Sequence, residues 1–182
     1  MKMKIIYSTL LIGAAALSTP RIFARVAADN DQEQIFLARA SEADAAELKQ
    51  SQLALDKSTN PAVRDYAQKM LTDHAALEGK MKPFADKYSV TPVTAPNPDH
   101  QAEIDKLSGL SGKAFDKEYI ASMEKDHRAA LELFDDERGT SKDKDLQASA
   151  GDAYATVEMH IKMTNKLADK LGVPVPDDYP NP

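Results

Sequence analysis

The sequence predicts an all-α fold, a bundle of four long helices with an extended crossover between the second and the third. Three observations predict it. Four segments of about 25 residues or more carry apolar side chains at three- and four-residue spacing, with no alternating strand pattern and little Gly inside them. The connections within the first and second pairs of segments are short, whereas a Pro-rich stretch separates the pairs. Finally, YAQKMLTDH at 66–74 and YIASMEKDH at 119–127 share the pattern Tyr-x-x-x-Met-x-x-Asp-His, 53 residues apart.

Helix A is expected over about 31–57, with Phe36, Ala40, Ala43, Glu47, Gln50 and Ala54 on its inner face. Asn60-Pro61 then stops one helix and starts the next, with Asn as N-cap and Pro at the first helical position. Helix B runs to about Ser89 along a seam of Val63, Tyr66, Met70, His74, Leu77, Met81, Phe84 and Tyr88. VTPVTAPNPDH holds three prolines and reads as linker, followed by a short helix over about 99–107. Helix C is expected over about 112–138, with Phe115, Tyr119, Met123, His127, Ala130 and Phe134 inward. Helix D is expected over about 143–171, with Leu146, Ala150, Ala153, Val157, His160, Thr164, Leu167 and Leu171 inward. The bundle domain therefore covers 29–172, and 173–182 form a Pro-rich extended tail.

Residues 1–28 read as a signal peptide. Lys2 and Lys4 precede a 13-residue apolar run over 5–17, too short to span a bilayer as a helix. Val26-Ala27-Ala28 supplies small residues for cleavage before Asp29; cleavage after Ala24 and an uncleaved anchor are the alternatives. The chain lacks Cys, so it has no disulfide, no thiolate ligand and no cysteine for lipid attachment. A periplasmic or secreted protein is expected, with no transmembrane span after cleavage. Loss of four basic residues with 1–28 leaves 19 basic and 29 acidic side chains, a formal charge of −10. That excess disfavours a general nucleic-acid binder, which needs a basic face. Oligomeric state is not legible.

About 20 residues separate helices B and C, and extended chain covers roughly 3.3 Å per residue. A 27-residue helix is about 40 Å long. The linker can thus cross the whole bundle and start helix C at the opposite end, leaving B and C parallel, as in ferritin-like bundles. His74 and His127 then become neighbours.

Three of the four histidines, His74, His127 and His160, lie on apolar seams, and so does Glu47. Glu47 stands 13 residues before Asn60 and His74 stands 14 after it, so antiparallel packing sets them at one level. A buried carboxylate needs a cation or an imidazolium beside it. His127 lies about 11 residues before the expected end of helix C and His160 about 17 after the start of D, levels more than a turn apart. A transition metal (Fe, Zn, Mn or Cu) held by Glu47, His74, His127 and His160 is the functional expectation. Its affinity is expected to fall below about pH 6.5, the ordinary histidine value. Asp73 and Asp126 point toward the seam's edge, where each could accept a proton from a histidine or tyrosine of a neighbouring helix. Glu124 forms Glu-x-x-His with His127, and Tyr66 and Tyr119 flank the site as amphipathic core residues. His100, in the Pro-rich linker, is expected to be solvated. The competing interpretation is a hydrogen-bond network in which the histidines only fix helix register.

AAELKQSQLAL around Glu47, STNPAVRDYAQKMLTDH, KAFDKEYIASMEKDH and VEMHIKM resemble a bacterial family of exported domains of unknown function, numbered forty-one forty-two, whose members often carry the label of predicted outer membrane proteins. The resemblance covers roughly residues 31–171 and implies a ferritin-like bundle. It places the family pattern on Glu47, Asp73, His74, Asp126, His127 and His160, and it implies no established activity. Nothing in 31–182 supports the outer-membrane label, since neither β-barrel alternation nor a second hydrophobic span is present. The chain departs from diiron bundles, which place a Glu on each of two helices and Glu-x-x-His on the other two. Here Met70 and Leu71 stand where helix B would need its glutamate. Three functional classes follow: metal handling or envelope stress protection, a redox metalloenzyme acting on peroxide or Fe(II), and a non-catalytic stress or interaction protein with structural histidines. No nucleophile motif, phosphate loop or nucleotide fingerprint is present.

Overall fold

A computed structural model describes residues 20–176, with side chains from residue 31 onward. Residues 1–19, which hold the apolar run of the expected signal peptide, and residues 177–182 of the expected tail lie outside the described residues. Among the described residues five helices are present: α1 (Pro20–Lys57), α2 (Pro61–Lys87), α3 (Pro98–Ser108), α4 (Gly112–Thr140) and α5 (Lys144–Leu171).

Two boundaries differ from the sequence expectation. α1 begins at Pro20 rather than near 31, because proline suits a first helical turn and no Gly or further Pro interrupts 21–57. α4 continues to Thr140 rather than 138, so its corner with α5 falls at 141–143. The caps are those the sequence suggests. Asn60 Oδ1 accepts from the Ala62 amide at 3.1 Å, and the Asp143 carboxylate accepts from the amides of Asp145 and Leu146. α2 ends with Ser89 at φ 57° and the Val90 amide donating to the Ala85 carbonyl, the left-handed closure more often made by Gly.

Helix directions follow from which residues meet. Along α1 and α4, Phe36 packs on Phe134, Gln50 on Asp126 and Ser51 on Tyr119, so the two run antiparallel. Along α2 and α5, Tyr66 meets Thr164 and Asp73 meets His160, again antiparallel. α1 and α2 are antiparallel through their short corner, so α2 and α4 are parallel and diagonal. This is a ferritin-like bundle with the long crossover. Two apolar clusters fill its interior. One includes Ala54, Met70, Phe115, Tyr119, Met123 and Leu167; the other includes Phe36, Leu37, Leu131, Phe134, Val157 and Ile161. A polar layer with Glu47, His74, His127 and His160 lies between them.

The crossover corrects the expectation for His100. Pro98 starts α3, and Asn97 caps it by accepting from the amides of Asp99 and His100. His100 therefore sits in a first helical turn facing α1, where its Nδ1 lies 2.8 Å from Glu42. Glu42 also accepts from the Asn97 amide at 2.6 Å and side chain at 3.0 Å. Burial opposes the charge on both groups. The hydrogen bond from Glu42 and the attraction of Asp126 nevertheless raise the His100 pKa, and the Asn97 and His100 contacts lower that of Glu42. A bond to a charged group contributes about 1.5–3 kcal/mol, and partial exposure reduces it here. His100→Ala is expected to lower the unfolding free energy by about 1 kcal/mol and to speed amide exchange across 98–108. Because the folded pKa is raised, that loss is largest at pH values below about 6.5 and shrinks as pH rises through the folded value. Equal exchange in both proteins would show that the crossover does not depend on this latch.

Candidate metal centre

The repeated Tyr-Met-Asp-His turn is explained by the bundle's symmetry. A pseudo-twofold axis along the bundle exchanges α2 with α4 and α1 with α5. Tyr66 bonds the Thr164 hydroxyl at 2.7 Å, and its equivalent Tyr119 bonds the Ser51 hydroxyl at 3.0 Å. By the same offsets His74 corresponds to His127, and His160 to Glu47. The four polar side chains of the layer are thus two symmetry-related pairs around one axis.

Tertiary packing brings all four together. Ring centroids are 5.9 Å apart for His74 and His127, 5.3 Å for His74 and His160, and 5.0 Å for His127 and His160. The near approach of His160 corrects the expected mismatch in level. Counted from Asp143, where the longer α4 puts the corner, His127 lies 16 residues before and His160 17 after. Glu47 Oε2 stands 3.1 Å from His74 Nε2 and 2.9 Å from His127 Nε2. All four residues are buried, Glu47 at 2 %, His74 at 4 % and the other two at 0 % exposure.

The outer nitrogen of each ring is occupied and the inner one is free. Asp44 lies 2.7 Å from His74 Nδ1, Asp73 lies 2.9 Å from His160 Nε2, and Tyr66 Oη lies 3.4 Å from His127 Nδ1. His74 Nε2, His127 Nε2, His160 Nδ1 and Glu47 Oε2 are buried and make no hydrogen bond. The short Glu47–imidazole distances are ion-pair contacts where the ring is protonated. One nitrogen from each of the three rings lies within 4.8 Å of the others, a group that could hold a metal ion. Two ligands about 2.1 Å from one ion at the tetrahedral angle stand about 3.4 Å apart, a few tenths of an ångström more than the Glu47–histidine separations. Carboxylates that grip the outer nitrogen of a ring also orient metal-binding imidazoles.

Charge is arranged to match. Burial alone would raise the Glu47 pKa, but His127 and His74 hold it well below the usual range. Burial would lower that of His74, yet Glu47 and Asp44 raise it to about 10. Burial, together with the charge of His127, pushes His160 down to about 4.

Of the outer residues expected from sequence, Asp73 reaches His160 and Tyr66 reaches His127. Asp126 faces α1 as its counterpart Asp73 faces α5, but Glu47 stands there in the place of His160 and has no proton to give, so Asp126 accepts from Gln50 at 2.9 Å and lies 3.8 Å from His100 of α3. Glu124 pairs with Arg128 one turn along, and no hydrogen bond joins Glu124, Asp126 or Tyr119 to the three rings. Asp44 is the partner that sequence reasoning missed. Its position three residues before Glu47, on the same face of α1, is the signal that could have found it.

Residues 19–167 match the family described as Domain of unknown function (DUF4142). The chain belongs to that family. No curated protein matches it. Two crystal structures resemble its fold. A DUF305 protein from Streptomyces coelicolor, assigned as secreted, shares 20% identity at a TM-score of 0.66, covering 78% of this chain and 93% of its own. A DUF305 fragment from Deinococcus radiodurans shares 18% identity at a TM-score of 0.67, covering 78% of this chain and 95% of its own. Among the described residues, no helix of this DUF4142 protein is long and apolar enough to cross a membrane.

Proposed function

We propose that this DUF4142 protein is an exported metal-handling protein of the cell envelope, with one transition metal held by His74, His127, His160 and Glu47. One observation carries the proposal: three buried rings are each engaged on one nitrogen and free on the other, with a buried carboxylate oxygen among the free nitrogens. Three neutral imidazoles and one carboxylate suit Zn, Fe, Mn or Cu. Asp44 and Asp73 hold two of the rings in orientation, and the apolar clusters on both sides keep bulk water out. Elemental analysis of untagged protein purified from the envelope is expected to find one ion per chain. Chelator-treated protein is expected to regain it, with a rise in melting temperature. A wild-type protein with no stoichiometric metal and no such rise would leave the histidines a structural network.

Tyr66, 3.4 Å from His127 Nδ1, favours a redox enzyme acting on peroxide or Fe(II) as the second reading. Turnover of either substrate by the metal-loaded protein, lost in Tyr66→Phe, separates it from metal handling.

Export is supported by the basic start and apolar run of residues 1–17 and by the secreted assignment of the Streptomyces neighbour. N-terminal sequencing of envelope protein is expected to begin near Asp29, leaving α1 intact from its tenth residue. Retained Met1 would refute cleavage.

A further inference from the structure

A chamber of about 370 Å³ adjoins the polar layer, within the apolar cluster nearest the α4–α5 corner. All four long helices wall it, through residues such as Leu37, Leu77, Phe134 and Val157. Ala40, Ala43 and Ala130 leave the space that larger side chains would fill, and the crossover segment at Val90 and Pro92 forms its rim. Its inner end meets the proposed metal centre at Glu47 and His74, with Asp44 beside them; His127 and His160 do not line it. Glu47 Oε2 and His74 Nε2, both in nearly buried side chains, are without hydrogen bonds at that end. A ligand entering the chamber would meet the ion beside Glu47 and His74, as a fifth donor or in place of Glu47.

The geometry points to a single-chain amphiphile as the ligand of this site, its carboxylate head on the bound metal and its unbranched apolar tail along the chamber. This rests on the metal reading above. The chemistry of the two ends selects the head and the tail. The walls are chiefly aliphatic, with Ser41, Glu78, Lys82, Thr91 and Thr94 among them, and accept methylenes more readily than a sugar, nucleotide or peptide. Without a metal, the carboxylates of Asp44 and Glu47 outnumber the single imidazolium of His74 between them and leave that end poor in positive charge for an anionic head. With a divalent ion among the three imidazoles, that end attracts one. At about 30 Å³ per water-sized unit, the volume holds a chain of roughly ten carbons.

The test is titration of full-length mature protein, loaded with Zn(II), by isothermal calorimetry with hexanoate, octanoate, decanoate and dodecanoate. Affinity is expected to tighten about fourfold per added methylene up to decanoate and then level off. Decanol and chelator-treated protein are expected to bind at least tenfold more weakly than decanoate and metal-loaded protein. Ala40→Phe, at a half-buried site on α1, is expected to abolish the chain-length dependence while metal content stays at one per chain. Val157→Phe fills the opposite wall and gives a second blocked variant should the first fold poorly; the chain-length series on wild type needs neither. Stoichiometric zinc with no decanoate binding, or with no dependence on chain length, overturns the inference and leaves the metal reading intact. Equal binding of decanol, or equal binding without metal, removes the carboxylate head and overturns it too. A wild-type protein that takes up no zinc overturns the metal reading, and the inference with it.

Discussion

Alanine in place of His127 abolishes stoichiometric metal binding and leaves a helical bundle of lower stability. This is the largest expected single effect, because His127 is fully buried and its Nε2 is both a free donor and a neighbour of Glu47. Removing it takes one of three nitrogens and leaves the Glu47 carboxylate buried with only His74 beside it. Breaking a buried charge pair costs about 3–5 kcal/mol, and truncating a packed ring adds a cavity. Metal-loaded and metal-free forms distinguish the two losses. If the rings bind metal, wild type melts higher with Zn(II), Fe(II), Mn(II) or Cu(II) than with chelator, and His127→Ala melts at one temperature in both. His74→Ala behaves likewise. Asp44→Asn keeps all four ligands and frees the outer side of His74, so it should weaken affinity only about 10–100-fold. Equal, weak binding of every metal by wild type and His127→Ala would end the metal reading.

Metal binding at the proposed site is expected to release a proton at neutral pH, with an affinity that climbs about tenfold per pH unit up to about pH 10. The sequence alone suggested a change near 6.5, where an isolated imidazole titrates. The folded site moves it. Although burial opposes its charge, His74 is held protonated to about 10 by Glu47 and Asp44, so an ion must displace that proton to reach Nε2. His160, lowered to about 4, is already neutral and releases none. Calorimetry in buffers of different ionisation enthalpy should therefore report about one proton released per ion at pH 7. The same shifts set the stability of the metal-free protein. His74 is raised above its unfolded value, so its contribution is complete below about 6.5 and is lost as pH rises toward 10. His160 is depressed, so its contribution is complete above about 6.5 and is lost as pH falls toward 4. Glu47, held well below its usual range, contributes above about 4.5 and loses its contribution in acid. Metal-free stability should peak in the near-neutral range and fall on both sides. Glu47→Gln should flatten the alkaline limb, because the attraction that holds the proton on His74 is gone. An alkaline limb unchanged by Glu47→Gln would mean that Asp44 alone sets the His74 proton.

Periodicity and connection length determined the fold class and most of the site. Apolar spacing of three and four residues fixes which face of a helix turns inward, and the short corner at Asn60 fixes level, which is why Glu47 and His74 were legible as neighbours. The length of the Pro-rich crossover fixed the parallel diagonal pair, and so the meeting of His74 with His127 across 53 residues. Tertiary structure alone decided what depends on rotation within a turn. Successive residues differ by about 100° around a helix, so a small roll of one helix decides which carboxylate meets which ring. Asp73 turned to His160 while its counterpart Asp126 turned to Gln50 and His100, and Asp44 came under His74 unannounced. The way the chain turns the 141–143 corner between α4 and α5 brought His160 level with His127. The chamber beside the site lay outside any sequence pattern, because space left by three alanines exists only when four helices are set around it.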